Sequence, residues 1–298
     1  MATHIPSRST SRWPRRQRCL PTPRRAPIFC GIRRTIVTVT PLKPPSSDAP
    51  ATVDRLFDTA ETPVGDFRFD AKTAGVFGDM VGRSVPYYAE MQRMVGELAG
   101  DFATPGSSLF DLGCSTGATF LSIDPSVNPD VRFIGVDNSA EMLDKARAKL
   151  TDSKVKRPFT LIEADLHNFN GVENASVVTL VLTLMFIRPL YRQRFLETIY
   201  RGLNPGGCLI LIEKLTVTHS PLNRLFIDHY YGYKRRMGYS EMEISRKREA
   251  LENVLIPYRQ EENREMLHAA GFAVTEEFFR WYNFAGLIAI KQPDGIDR

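Results

Sequence analysis

Cysteine is scarce: the 298 residues hold four, Cys19, Cys30, Cys114 and Cys208. No pair has CxxC spacing and none sits in a histidine cluster. Neither a disulfide framework nor a zinc site is expected, and the sparse thiols fit a reducing compartment. Beyond the amino terminus the histidines, His167, His219, His229 and His268, are scattered without ligand spacing, so no metal is expected. No run of about eighteen apolar residues exists, which excludes a membrane-spanning helix. No internal repeat is visible. Acid is missing from residues 1–47, which hold nine Arg and one Lys. That segment carries +10, so the remainder of a chain at +5 carries −5. A mildly acidic body lacks the broad basic footprint of a nucleic-acid binder, and no direct nucleic-acid contact is expected.

Residues 1–50 are also rich in Pro, Ser and Thr and show no sustained periodicity. Such a segment buries too little apolar surface to offset its ordering entropy, so a disordered basic arm is expected. Its composition is that of an organelle transit peptide; a start codon assigned too far upstream is the other reading. The expected setting is cytoplasmic, or an organelle if the arm is a transit peptide.

The rest, 51–298, is long enough for one large α/β domain with a substantial core. Phe67–Asp70 is expected as a short strand or turn. Tyr87–Phe102 carries Met91, Met94, Val95, Leu98 and Phe102 at helical spacing, with Pro86 suited to the first turn. Strands are expected at Leu109–Leu112, Arg132–Val136, Phe159–Glu163, Ser176–Leu182 and Cys208–Ile212. Helices are expected at Ala140–Leu150, capped by Ser139, and at Pro189–Leu203, with a turn at Asn204-Pro205-Gly206-Gly207. Continuously apolar strands alternating with helices argue a parallel, doubly wound, Rossmann-like α/β sheet. Residues 215–258 break that rhythm and read as a helical insertion over the active-site mouth. Glu262–Ala270 reads as a helix; Phe272–Phe279 and Asn283–Lys291 read as a terminal antiparallel hairpin.

In open α/β sheets a ligand binds outside the carboxyl ends of the strands, where strand order reverses. Those ends carry Asp111 to Gly117, Asp137-Asn138, Asp165-Leu166 and Val181 to Met185. Glycines let backbone approach a ligand closely. Asp137 is placed to accept both hydroxyls of a ribose, and Asp165 to accept from the exocyclic amine of adenine. Any one of these acids alone is an ordinary cap or turn residue; together they describe a nucleoside pocket. The turn Asp111-Leu112-Gly113-Cys114-Ser115-Thr116-Gly117 lacks the GxGxxG of a dinucleotide site. It resembles motif I of class I methyltransferases that use S-adenosylmethionine (SAM), and Leu203-Asn204-Pro205-Gly206-Gly207 resembles another of their motifs.

From Asp54 to Lys291 the chain further resembles the carboxy-S-adenosylmethionine (carboxy-SAM) synthase family. Matching runs include Asp79-Met80, Arg83-Ser84-Val85-Pro86, Asp137-Asn138-Ser139, Glu213-Lys214 and Asn283-Phe284. The most diagnostic is Gly238-Tyr239-Ser240-Glu241 with Glu243-Ile244-Ser245, Lys247-Arg248 and Leu251-Glu252-Asn253-Val254. The resemblance implies conversion of SAM and prephenate to carboxy-SAM, phenylpyruvate and water. It also implies a homodimer, and a partner enzyme that uses the product to carboxymethylate wobble uridine in tRNA. The SAM-contacting residues it implies are Tyr88, Gly113, Cys114, Ser115, Asp137, Asn138, Asp165, Leu166, the position of Val181, and Arg248. Arg248 is the implied catalytic clamp on the new carboxylate, a task suited to a planar fork of donors. Read without the resemblance, Arg248 is a surface residue of a polar helix and Tyr88 a core tyrosine.

Two positions depart from the family pattern. Val181 stands where the family has a ligand-contacting Asn, with Thr183 the candidate replacement, and Tyr230-Tyr231 stands where two His are common. They keep open an ordinary SAM-dependent methyltransferase acting on a small acceptor. No residue announces itself as a general base, which keeps open a non-catalytic SAM-binding partner. The run Lys234-Arg235-Arg236 reads as a solvated helix face, or as a site for an anionic substrate such as prephenate or for RNA phosphate.

Overall fold

Apolar runs at the strand positions demand cover on both faces, and the computed structural model supplies it. The structure describes residues 53–58, 65–153, 155 and 157–293; the arm at 1–50 lies outside them. Strands β1 (Ser108–Leu112), β2 (Arg132–Asp137), β3 (Phe159–Glu163), β4 (Ala175–Val181) and β5 (Leu203–Lys214) pair in parallel. A hairpin of β6 (Val274–Trp281) and β7 (Phe284–Ile290) adds two antiparallel strands, giving the order β3-β2-β1-β4-β5-β7-β6. Order reverses between β1 and β4, so the crevice of a doubly wound sheet opens there. The helices are α1 (Ala71–Ser84), α2 (Tyr88–Phe102), α3 (Ala118–Ile123), α4 (Ala140–Asp152), α5 (Pro189–Gly202), α6 (Ser220–Arg236), α7 (Glu241–Leu251) and α8 (Gln260–Ala270).

Successive strand side chains point to opposite faces. Phe110, Val178, Leu180 and Leu209 therefore pack with Phe195, Leu196 and Ile199 of α5 and Leu267 of α8. Leu109, Val177, Ile210 and Ile212 pack with Met91 and Val95 of α2 and Phe120 and Ile123 of α3. Each such side chain, once fully buried, contributes roughly 1.5–3 kcal/mol. Both layers are thus written in the alternation along each strand.

The structure corrects several expectations. Phe67–Asp70 is neither strand nor turn: it leads without regular structure to Asp70, which caps α1 by accepting from Thr73 N at 3.0 Å. Helix α1 itself was not foreseen. Its Gly75, Gly78 and Gly82 mask it, since each lowers helix propensity by about 1 kcal/mol; Ala74, Val76 and Met80 bury one face and carry it. Pro86 precedes α2 instead of entering its first turn, and Tyr87 before the helix takes φ 55°. Asn204–Gly207 is not a turn but part of β5, where the register against β4 slips between Ala175 and Val177 and Gly206 takes φ 81°. Two steps along β4, Ala175 to Val177, face five along β5, Leu203 to Cys208, so β5 bulges out by three residues there. Strand β4 ends at Val181 because Leu182 turns to φ 58°. Strand β6 starts at Val274, not Phe272, and runs on to Trp281.

The expected insertion is helical, as α6 and α7, and a buried polar network ties it down. Asp54 accepts from Tyr239 Oη at 2.7 Å, and its own N–H donates to Asp79 at 2.7 Å. Arg83 donates to Asp79 and lies 4.2 Å over the Tyr239 ring. Ser240 and Glu243 close a capping box at the start of α7. Phe67 N donates to Ala250 O at 2.9 Å, so the segment before α1 seals the far end of α7.

Candidate active site

The carboxyl ends of the parallel strands and the insertion enclose a cavity of about 760 Å³, in the upper part of the range for small-molecule sites. The ten residues singled out from the sequence all line it. Asp111, Leu112 and Gly117 of the glycine turn do not. Asp111 is buried beneath the turn, where Thr179 Oγ1 donates to it at 2.7 Å and burial pushes its pKa up to about 7.

One wall is acidic. Asp137, at the end of β2, accepts from Ser115 N at 2.9 Å and from Ser139 N at 3.0 Å, one bond to each oxygen. Burial raises its pKa above the usual carboxylate value, against the pull of those bonds. Ser115 reaches it from φ 49°, a costly conformation for a residue with a side chain. Asp165, just past β3, accepts from His167 N at 2.9 Å and lies 2.6 Å from His167 Nδ1. His167 Nε2 accepts from Arg188 N at 3.1 Å, which puts the ring proton on Nδ1. Burial opposes ionisation of Asp165, but the bonds from His167 together hold it below the usual carboxylate value.

Between the walls lies the glycine turn. Gly113 takes φ 82°, and a Cβ there would come within 2.5 Å of Thr183 Cγ2 and Oγ1. Thr183 thus closes over the turn. Its hydroxyl donates to Val181 O at 3.2 Å, leaving its lone pairs to accept. The Cys114 thiol is raised by burial and is no nucleophile. Tyr88 accepts from Gln92 Nε2 at 2.9 Å; burial raises its pKa to about 12, so it is a neutral hydroxyl with its proton free to donate.

The opposite wall is basic: Lys214 at the end of β5, Lys234 in α6, and Lys247 and Arg248 in α7. Arg248 is exposed and has no hydrogen-bond or ion-pair partner among the described residues. The basic run divides: Lys234 turns into the cavity, whereas Arg235 is exposed and pairs with Glu241, and Arg236 is exposed. Tyr230 and Tyr231 both line the cavity, their ring centres 6.3 Å apart. Tyr230 is buried in the wall, donating to Ser84 O at 2.9 Å, while Tyr231 is half-buried.

Sequence reasoning assigned no role to Lys214 or Lys247, and it missed the aromatic lining from Phe67, Phe69, Phe77 and Phe186, where Phe69 and Phe186 meet edge-on at 5.3 Å. The Phe-x-Phe spacing before Asp70 was the available signal. No group of three or more His, Cys, Asp or Glu placed to hold a metal exists among the described residues, and no helix there is long and apolar enough to cross a membrane.

Comparison with known proteins gives the same picture. Residues 109–207 match a family of methyltransferase domains. The chain is 48% identical over 239 residues to a carboxy-S-adenosyl-L-methionine synthase of Methylococcus capsulatus, covering 80% of this chain and 99% of that protein. It is 42% identical to the Escherichia coli protein of the same name, covering 81% and 98%. Among solved structures it is similar in fold to an O-methyltransferase family protein from Burkholderia thailandensis, with TM-score 0.57 at 16% identity, covering 76% of this chain and 61% of that one.

Proposed function

The chain belongs to the carboxy-S-adenosyl-L-methionine synthase family, and from that premise we propose that it converts SAM and prephenate to carboxy-SAM, phenylpyruvate and water. The observation that carries this reading is the two-walled cavity, with acids at the ends of β2 and β3 facing an unpartnered arginine on α7.

The residues fit SAM. Asp137 keeps a lone pair on each oxygen after its backbone bonds and is placed to accept from both ribose hydroxyls. Asp165, polarised by His167, accepts from the adenine amine. The aromatic lining from Phe69, Phe77 and Phe186 is an apolar bed for a flat ring. Tyr88 donates from above the glycine turn, and the lone pairs of Thr183 stand in for the side-chain contact that Val181 lacks.

Bound SAM supplies a sulfonium whose methyl hydrogens are acidic. Prephenate loses one carboxylate as carbon dioxide, which bonds to the methyl carbon; its ring hydroxyl leaves with the methyl proton as water, and the ring becomes aromatic. No side-chain base is consumed. Arg248 pairs its guanidinium with the carboxylate so formed, an interaction absent from SAM itself and therefore selective for the product. Assembly as a homodimer, use of the product on tRNA wobble uridine by a partner enzyme, a cytoplasmic setting, and the division into an arm at 1–50 and a SAM-binding domain at 51–298 belong to the same proposal.

Mass analysis after incubation with SAM and prephenate tests it. The expected product is a SAM derivative heavier by one carboxylate, formed only when prephenate is present. Plain SAM with no prephenate-dependent turnover refutes the reading, and methyl transfer to a small acceptor would replace it with an ordinary methyltransferase.

A further inference from the structure

Three lysines that the mechanism above does not use face the same cavity. Lys214 ends β5, Lys234 lies in the last turn of α6, and Lys247 lies in α7. Lys234 and Lys247 are 5% and 6% exposed, and Lys214 is half-buried. The Nζ atoms of Lys214 and Lys234 lie 5.1 Å and 4.6 Å from the centre of the Tyr230 ring. Lys247 Nζ donates to Ser84 Oγ at 3.0 Å and lies 3.5 Å from Asp54. Asp54 is the one carboxylate within ion-pair reach of any of the three among the described residues, and it already accepts from Tyr239 and from Leu56 N. Neither the Lys214 nor the Lys234 ammonium has a hydrogen bond or ion pair among the described residues; each lies near the Tyr230 ring.

For the fold alone this is a poor arrangement. Removing an ammonium from water costs several kcal/mol, and like charges nearby add to it. Burial accordingly lowers the pKa of Lys214 and of Lys247 to about 8, and that of Lys234 well below the usual lysine range, with Lys247 and Lys214 adding repulsion. An apolar side chain of similar length would serve the fold better at positions 214 and 234. The same arrangement becomes favourable once an anion enters, because partly desolvated charges attract it far more strongly than exposed ones.

We propose that Lys214, Lys234 and Lys247, with the Tyr230 ring beside the first two, form an anion subsite that holds the carboxylate the second substrate keeps. This rests on the reading that the second substrate is prephenate. That substrate carries two carboxylates, one transferred and one retained on phenylpyruvate. The transferred group ends opposite Arg248. A second anchor is then needed, so that the carboxylate held fast is not the one that must leave. Ammonium groups suit that anchor: they attract as point charges without imposing the bidentate geometry of a guanidinium. The Tyr230 ring adds a flat face at the same spot.

Phenylpyruvate is the probe, because it has only the retained carboxylate. Its affinity for the full chain saturated with SAM, and the KM for prephenate, are measured for the wild type, Lys214→Met, Lys234→Met and Lys214→Arg. Each Met variant is expected to weaken phenylpyruvate and raise the prephenate KM at least about tenfold, two ionic hydrogen bonds' worth at most being lost, with SAM affinity changed less than about threefold. Lys214→Arg is expected to recover most of the loss. Both Met variants are expected to melt no lower than the wild type. Folded Met variants with unchanged phenylpyruvate affinity and KM, in a background where the wild type makes carboxy-SAM, overturn the subsite alone. Met variants that fail to fold overturn it too, since the lysines would then serve the fold. A wild type that binds SAM but makes no carboxy-SAM from prephenate overturns the proposed function, and the subsite's ligand with it.

Discussion

Replacing Asp137 with Asn separates the two things its carboxylate does. In the folded chain each oxygen accepts one backbone N–H, from Ser115 and from Ser139. In the proposed complex each would also accept from a ribose hydroxyl. An amide keeps one accepting oxygen and turns the other into a donor. One ribose bond is lost, the other falls from ionic to neutral, and the NH2 is left facing a backbone N–H. Hydrogen bonds to charged groups are worth about 1.5–3 kcal/mol and neutral ones about 1 kcal/mol, so the loss on binding is roughly 2–5 kcal/mol. That corresponds to SAM binding about 30-fold to about 4,000-fold weaker. Folding pulls the other way. Burial disfavours the charged form of Asp137, so removing the charge offsets part of the cost of the misplaced NH2, and the melting temperature of the ligand-free chain should fall by only a few degrees. Titration calorimetry with SAM, paired with a thermal melt of the free protein, reads both. A SAM affinity within about threefold of wild type in a well-folded Asp137→Asn protein refutes the assignment of the ribose to this residue.

Arg248→Ala should leave SAM affinity within about threefold but weaken carboxy-SAM by about 100-fold, the value of one bidentate ionic contact; equal affinities for the two ligands, measured by competition, would remove Arg248 from its role. Gly113→Ala should lose SAM binding and about 2 kcal/mol or more of stability in urea, because φ 82° disfavours any Cβ and this one would strike Thr183; unchanged values would mean the turn opens freely. Glu213, buried in β5 with one oxygen unpartnered, has its pKa raised from 4.5 to about 8. Between those values the folded state holds a proton that the unfolded state releases, so its contribution falls as pH rises, by about 1.4 kcal/mol per unit, and levels off above pH 8. Glu213→Gln should therefore gain on wild type between pH 5 and pH 8 in denaturation curves, whereas curves that stay parallel contradict the buried neutral acid. Gly78→Ala, on the exposed face of α1 with open space where the Cβ would go, should raise stability by about 0.5–1 kcal/mol; a loss would show that this face is covered.

The acidic wall was legible because local pattern encodes it. An apolar run ending in Asp137 or Asp165 is a strand end wherever it occurs in an α/β chain, and strand ends share one rim. Helix α1 was illegible for the opposite reason: Gly75, Gly78 and Gly82 remove the local signal, and what makes it helical is burial of Val76 and Met80 against distant parts of the chain. Asn-Pro-Gly-Gly has the composition of a turn, and only pairing of Gly206 and Gly207 with Lys291 shows it to be part of a strand. The basic wall was half legible. Lys234 sits one helical turn after Tyr230, so a buried aromatic at that position implied a lysine facing inward; the adjoining Arg235 and Arg236 made the run look solvated. Lys247 gave no sign, since its partner Asp54 lies 193 residues away in sequence.

The run at 238–254, the part of the chain most specific to its family, works mainly as a mount for one side chain. Helix α7 buries Ile244, Lys247 and Ala250, the i, i+3, i+6 face. Arg248 stands one residue on from Lys247, rotated about 100° around the helix, so anchoring Lys247 to Asp54 and Ser84 sets the direction in which Arg248 projects. Gly238 at φ 90° lets α6 turn into α7, and Tyr239 pins that turn to Asp54. A sheet of this kind recurs in an O-methyltransferase family protein at 16% identity, while Lys214, Lys234, Lys247 and Arg248 come from the end of β5 or from the insertion, and the further lining cation Arg68 lies just before α1. Under the proposed function the labour divides: the strand ends would hold the nucleoside, and the cations of β5 and the insertion the anion that reacts beside it. Altering Tyr239 or Asp54 should then change the reaction's outcome through the position of Arg248 while leaving SAM affinity alone, an effect at a distance that the strand ends have no means to produce.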